Sequence, residues 1–358
     1  MTQQQKPQTL LEWALNLPKV DLHRHLEGSL RLNTLAEIAI EHGIDLPSHD
    51  IEQLRPYVQV TNDTPDYQRF LEKFKLLRRF YTSKEAVQRI TREAILDAAE
   101  DNVRYLELRF NPVALARTQG FPLEDVITWV KETAAETQKE ANTRTCLILS
   151  INRAESDLAE KIVELAIANY GPLVRGIDLT GNEVRYPPSL FKAPFERARS
   201  AGLGLTVHAG EATGADSVRV AVEELNAQRI GHGIHAVENS NVVSLLYERH
   251  VGLEVCPTSN FQTGAVPHLT LHPLLDLFSL RLPVTINTDD PSVSDTTLSD
   301  EYIVAIRTVG LSKQMILQAI WNAIDVAFIP EEERSDLRSQ FRRALALYPE
   351  AQDIFEVS

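Results

Sequence analysis

Short β-rich runs alternate with longer stretches of helical periodicity along almost the whole chain. The short runs are Lys19–His25, Val103–Phe110, Arg144–Ile151, Val174–Leu179, Gly204–His208, Arg229–Gly231, Gly252–Cys256 and Pro283–Thr288, eight in all. Several are close to continuously apolar, as parallel strands covered on both faces must be. The longer stretches, Thr82–Glu100, Leu123–Ala141, Glu155–Asn169, Pro188–Ala201, Ala215–Asn226, Val237–Arg249 and Pro273–Leu280, repeat apolar residues three and four apart, and Thr82 and Ser83 offer caps for the first. Eight strands alternating with helices predict an α/β fold of the (β/α)8 TIM-barrel type. The competitor is a doubly wound sheet, but no Gly-x-Gly-x-x-Gly turn follows the first strand.

Two regions exceed the repeat. Residues Leu46–Tyr81 form an insertion after strand one that contains a Phe- and Leu-rich helix, Pro65–Tyr81. Such an insertion either covers the barrel mouth as a lid or packs on the exterior. After Asp290, helices at Ser299–Thr308, Ser312–Ala327 and Pro330–Tyr348 read as a cap on one end of the barrel. A length of 358 residues with no linker or low-complexity tract suits a single domain over 1–358.

Composition narrows the partners. Hydrophobic residues make up 43% of the chain, enough for a large core, and the formal net charge is −14. An acidic surface repels phosphate backbones, so a small-molecule substrate is expected and nucleic acid is not. Cys146 and Cys256 stand alone, which excludes a CxxC pair or a disulfide framework and suits a reducing compartment. Met1–Pro7 lacks the apolar core of a signal peptide, and no apolar run is long enough to span a bilayer, so the expectation is a cytoplasmic protein without membrane contact.

In a barrel of this type the active groups come from the carboxyl ends of the strands. Strand one ends in Asp21-Leu22-His23-Arg24-His25-Leu26-Glu27-Gly28, and the two-residue spacing puts His23 and His25 on one face. Strand five ends in His208, strand six runs into Gly231-His232-Gly233, and strand eight into Asp289-Asp290-Pro291. Three histidines and a carboxylate on separate strand ends can converge on one ion, for which zinc is the best match, with a position left for water whose pKa falls to about 7. Glu211, three residues after His208, suits a general acid or base; alone it would read as a first-turn acid on the following helix. Glycines on both sides of His232 strip neighbouring side chains and leave its ring exposed. Adjacent Asp289 and Asp290 point to different sides, one toward the ion and one toward the ligand, unless they only form a turn before Pro291. Most of the other histidines, His42, His49, His235, His250, His268 and His272, read as solvated residues or caps.

These pieces, together with Gly181-Asn182-Glu183, Thr206-Val207-His208-Ala209-Gly210-Glu211 and Cys256-Pro257-Thr258-Ser259-Asn260, occur in an order that resembles the adenosine deaminase family of the amidohydrolase superfamily. The resemblance implies that His23, His25, His208 and Asp289 bind one catalytic zinc ion per chain, with His25 also beside the substrate. It implies that Glu211 protonates the purine nitrogen next to C6, that His232 orients and helps to activate the water, and that Gly181 and Asp290 contact the purine. The implied activity is deamination of adenosine and 2′-deoxyadenosine. Glu27 stands where many adenosine deaminases have aspartate facing the 5′-hydroxyl, which keeps adenine or a 5′-modified adenosine, such as aminodeoxyfutalosine, as the alternative substrate. A binuclear amidohydrolase would need a bridging lysine near Asp178–Gly181, where the chain has none, and a catalytically dead binding protein would have lost a ligand or the acid. The cytidine-deaminase type of zinc site needs Pro-Cys-x-x-Cys, which two isolated cysteines exclude.

Overall fold

The computed structural model describes residues 9–351 and 354. The expectation about Met1–Pro7 lies outside the described residues. Eight strands, β1 (Lys19–His25), β2 (Val103–Phe110), β3 (Arg144–Asn152), β4 (Val174–Thr180), β5 (Gly204–Ala209), β6 (Arg229–His232), β7 (Gly252–Val255) and β8 (Val284–Ile286), pair in parallel in sequence order. The sheet closes at its carboxyl end, where His25 N donates to Asp289 O at 2.8 Å and Asp289 N donates to His23 O at 2.7 Å. The Leu22 amide donates to Asn287 Oδ1 at 2.9 Å, which adds a side-chain clamp to the same seam. This is the (β/α)8 barrel that the alternation predicts. Nearly every strand residue is buried, since helices cover the outer face and side chains fill the inner one.

Element ends differ where side chains compete for the backbone. The stretch Glu155–Asn169 opens as a 3₁₀ turn, Arg153–Leu158, before the helix Ala159–Asn169, because Asn152 accepts from Ala154 N and Glu155 leaves helical geometry. Asn239 caps Ser240–Glu248 and separates it from the turn Ile234–Glu238. Strand β8 is shorter than the run Pro283–Thr288. Periodicity detects the spacing of apolar residues but not these local breaks.

The insertion contains a first helix, Ile51–Val58, and a second, Tyr67–Leu77, which Asp66 caps and a short turn, Arg78–Phe80, ends. The second lies over the mouth rather than on the exterior: Tyr67, Phe70, Leu71 and Phe74 line the cavity there, and Tyr67 Oη donates to Gly181 O at 3.1 Å. The C-terminal helices end at the opposite pole. Lys313–Val326 packs along β8 and β1, and the chain after it plugs the amino-terminal end of the barrel. There Phe328 stacks on the Arg229 guanidinium at 3.6 Å and its amide donates to Glu107 Oε1 at 2.7 Å. No helix among the described residues is long and apolar enough to cross a membrane.

Candidate active site

A cavity of about 280 Å³ opens at the carboxyl ends of the strands. His25 and Glu27 after β1, Gly181 after β4, His208 and Glu211 at β5, His232 at β6, and Asp289 and Asp290 after β8 all line it. His23 is fully buried beneath them and joins the same cluster. All the candidate residues read from the sequence therefore meet at one place.

At the floor, His23, His25, His208 and Asp289 each offer one donor atom, and these atoms all lie within 4.8 Å of one another. His23 Nδ1 is tied to Glu254 Oε2 at 2.8 Å and His208 Nδ1 to Asp178 Oδ1 at 3.1 Å. A neutral imidazole that donates from Nδ1 presents a lone pair at Nε2. His25 Nε2 and His208 Nε2 approach to 3.3 Å, and the buried Nε2 of His23 has no hydrogen-bond partner. His23 Nε2 and His25 Nε2 each lie 3.3 Å from Asp289 Oδ1, so imidazole nitrogens converge on one carboxylate in a cluster that a cation would complete. Burial holds His25 neutral, its pKa well below the ordinary value, and Asp289 is held ionised, well below the carboxylate range against its own burial, chiefly by His23. Three imidazoles and one carboxylate fit a divalent ion of the zinc type, and the same four residues would hold it.

Arg109 stands behind this cluster. Its Nη1 donates to Asp178 Oδ2 at 2.7 Å and its Nη2 to Glu254 Oε2 at 2.8 Å, so one guanidinium orients the two carboxylates that orient two histidines. Arg229 and Thr206 complete Glu254, at 2.6 and 3.0 Å. Arg109, Asp178, Arg229 and Glu254 are all fully buried. Removing one member of such a network leaves the others as uncompensated charges. Arg109→Met is therefore expected to lower unfolding free energy by about 3–5 kcal/mol, read from urea unfolding midpoints. A variant as stable as the wild type would show that the network contributes nothing net.

Glu211 sits above the cluster. Burial first, then the charges of Asp289 and Glu183, push its carboxyl up to about 8, so it carries a proton at neutral pH. Thr263 Oγ1 donates to its Oε1 at 3.1 Å. Glu183 fixes the turn that carries Glu211: its carboxylate accepts from Gly210 N at 2.6 Å, Glu211 N at 3.2 Å, Ala212 N at 3.0 Å and Thr213 Oγ1 at 2.6 Å.

His232 corrects one expectation. Its ring is buried, at 1% exposure, rather than exposed. Gly231 instead makes room for its neighbours, since a Cβ there would lie 3.0 Å from His23 Cε1 and 3.1 Å from His208 Nδ1. His232 and Asp289 both hold left-handed backbone, with φ of 61° and 63°. That region costs a non-glycine residue of order 1 kcal/mol or more, and it clusters where side chains must be aimed. Ser259 Oγ donates to Asp289 Oδ2 at 2.7 Å and holds that carboxylate's second oxygen.

Sequence reasoning missed Glu254, Asp178, Arg109, Ser259, Asn260 and His272 as parts of the site. The available signal was a charge in the middle of an apolar strand: Glu107 and Arg109 in β2, Asp178 in β4 and Glu254 in β7. Five of the remaining histidines reach solvent as expected, but His272 is buried and bonded to Asn260.

A parallel barrel whose strand ends gather three histidines, an aspartate and a protonated carboxyl has the build of a metal-dependent hydrolase. A sequence model of the family described as Adenosine deaminase matches residues 18–344. The adenosine deaminase of Klebsiella pneumoniae is 39% identical over 326 residues, covering 90% of this chain and 97% of that protein. Among solved structures, an adenine deaminase from Arthrobacter aurescens superposes with a TM-score of 0.85 at 30% identity, covering 92% of this chain and 99% of its own. A Burkholderia ambifaria amidohydrolase with bound Zn superposes with a TM-score of 0.87 at 26% identity, covering 99% and 97%. The chain belongs to the adenosine deaminase family, and it is a hydrolase acting on C–N bonds.

Proposed function

We propose that the chain hydrolyses adenosine and 2′-deoxyadenosine to the inosine products and ammonia, as a single 1–358 unit with one zinc ion held by His23, His25, His208 and Asp289. The observation that carries this reading is the buried Glu211 carboxyl, with its pKa raised, beside a cluster of three imidazoles and a carboxylate that converge on one point. When bound, the ion supplies Lewis acidity, which makes water a stronger nucleophile at neutral pH. Glu211 gives its proton to N1, and C6 becomes electrophilic. The oxygen of water bonds to C6 while the C6–N bond to the exocyclic nitrogen breaks. One water proton leaves with that nitrogen as ammonia, and the other restores Glu211. His232 orients the water, and Asp290 and Gly181 hold the purine. Two unpaired buried cysteines support a reducing compartment, the cytoplasm.

The test is loss of adenosine's ultraviolet absorbance in the purified holoenzyme, with adenine and a 5′-modified adenosine run beside it. Adenosine is expected to turn over fastest, and no turnover of adenosine rejects the reading. The second reading, adenine or a 5′-modified adenosine, rests on Glu27, whose Oε1 accepts from Asn111 N at 2.8 Å while Oε2 is buried without a partner and free for ligand. Glu27→Asp is expected to shift relative rates toward the unmodified nucleoside; unchanged ratios would remove Glu27 from specificity. Gly28 matters for a steric reason, because a Cβ there would lie 1.9 Å from Asp290 Oδ1. Gly28→Ala is expected to lower kcat/KM for adenosine by roughly 10²-fold with the metal retained, since misplacing a positioning group by about 1 Å costs that much.

A further inference from the structure

His232 is linked to a buried polar chain that the reaction described above does not use. Leu274 N donates to His272 Nδ1 at 3.0 Å. His272 Nε2 lies 3.2 Å from Asn260 Oδ1, and Asn260 Nδ2 lies 3.0 Å from His232 Nδ1. His272, Asn260 and His232 are all buried, so water does not compete for these contacts.

The direction of every bond follows from the backbone end. An amide N–H only donates, so His272 Nδ1 is an acceptor, and a neutral imidazole with that nitrogen unprotonated carries its proton on Nε2. Burial keeps His272 neutral, with its pKa lowered to about 4. The Nε2–H then needs an acceptor, which turns the Asn260 carbonyl toward His272 and the amide N–H toward His232. His232 Nδ1 in turn must accept. We infer that His272 and Asn260 are positioning residues that place the His232 proton on Nε2, so that His232 meets the reacting oxygen as a hydrogen-bond donor.

The geometry on the far side agrees. His232 Nε2 faces the ionised Asp289, with Oδ2 at 3.8 Å, and a carboxylate suits a donor there and not an acceptor. A donor at this position stabilises negative charge as it develops on the oxygen that bonds to C6. The opposite tautomer would set an N–H of His232 against an N–H of Asn260, a contact that the fixed His272 cannot relieve. This inference rests on the proposed role of His232 in adenosine deamination, but the tautomer itself is measurable without turnover.

The experiment uses the zinc-loaded enzyme labelled with ¹⁵N-histidine, with long-range ¹H–¹⁵N spectra and adenosine kinetics on the wild type, Asn260→Asp, His272→Leu and His272→Gln. Wild-type His232 is expected to carry its proton on Nε2. Aspartate at 260 only accepts and draws the proton to Nδ1, so kcat is expected to fall by about 10²-fold, the cost of losing one such donor, while KM stays within about twofold. His272→Leu removes the anchor and is expected to lower kcat by about 10-fold with the tautomers mixed, whereas His272→Gln, which can still donate, restores most of it. A wild-type proton on Nδ1 overturns the inference. So does a loss of turnover in His272→Leu or Asn260→Asp without a change of tautomer, or full turnover in both. A wild-type enzyme that shows the Nε2 proton but no adenosine turnover keeps the relay and rejects the proposed function.

Discussion

Glu211→Gln is expected to bind zinc at wild-type stoichiometry and to lose about 10³-fold in kcat, within the range that a positioned proton donor contributes. Glutamine matches glutamate in shape and still reaches Thr263, so the pocket is preserved. It offers an N–H to the purine nitrogen but cannot give up a proton, which confines the loss to kcat and leaves KM little changed. Metal analysis of the purified variant with steady-state kinetics checks both halves, and a fully active variant would remove Glu211 from the chemistry. The pH profile adds an independent reading. The Glu211 carboxyl is pushed up to about 8 by burial and by Asp289 and Glu183. In the proposed mechanism the protonated acid is the working form, so kcat/KM is expected to decline as pH rises through this pKa. A bound cation favours the carboxylate and moves the decline toward neutrality. Glu211→Gln is expected to lack that limb.

His208→Ala is expected to lose metal and turnover together. His208 presents its Nε2 to the cluster from the end of β5, with Nδ1 held by Asp178. Loss of an orienting partner alone costs a metal site roughly 10–100-fold in affinity, and loss of the ligand itself costs more. Folding is expected to survive, because β5 pairs through its backbone and Arg153 binds the backbone carbonyl of residue 208 rather than its ring. Circular dichroism and metal content separate the two effects. Retained stoichiometric zinc would place His208 outside the ligand set. Adding zinc in excess is expected to recover little activity, since the remaining donors leave one side of the ion open.

Much of the fold was legible because its signals are local. A parallel strand covered on both faces needs an apolar run, a helix needs three-and-four spacing, and both can be read within a dozen residues. His23 and His25 share a face through period-two alternation, and His208, His232 and Asp289 end their own strands. The partners of these residues were not legible. Glu254 is 231 positions from His23, and Asp178 is 30 from His208. Nothing local distinguishes a carboxylate that orients an imidazole from one that faces solvent. The glycines around His232 showed the same limit, since a missing neighbouring side chain reads as exposure in the chain but here admits His23 and His208 in space.

By itself the sequence determined the number and order of the β/α units and the identities of the groups at the strand ends, because both depend on neighbours along the chain. Only the tertiary structure decided that those groups converge, that the Tyr67–Leu77 helix roofs the cavity, that burial raises the Glu211 pKa and that His232 is buried against Asn260. Those properties depend on desolvation and on donors and acceptors brought from distant segments, and they come into being when the barrel closes.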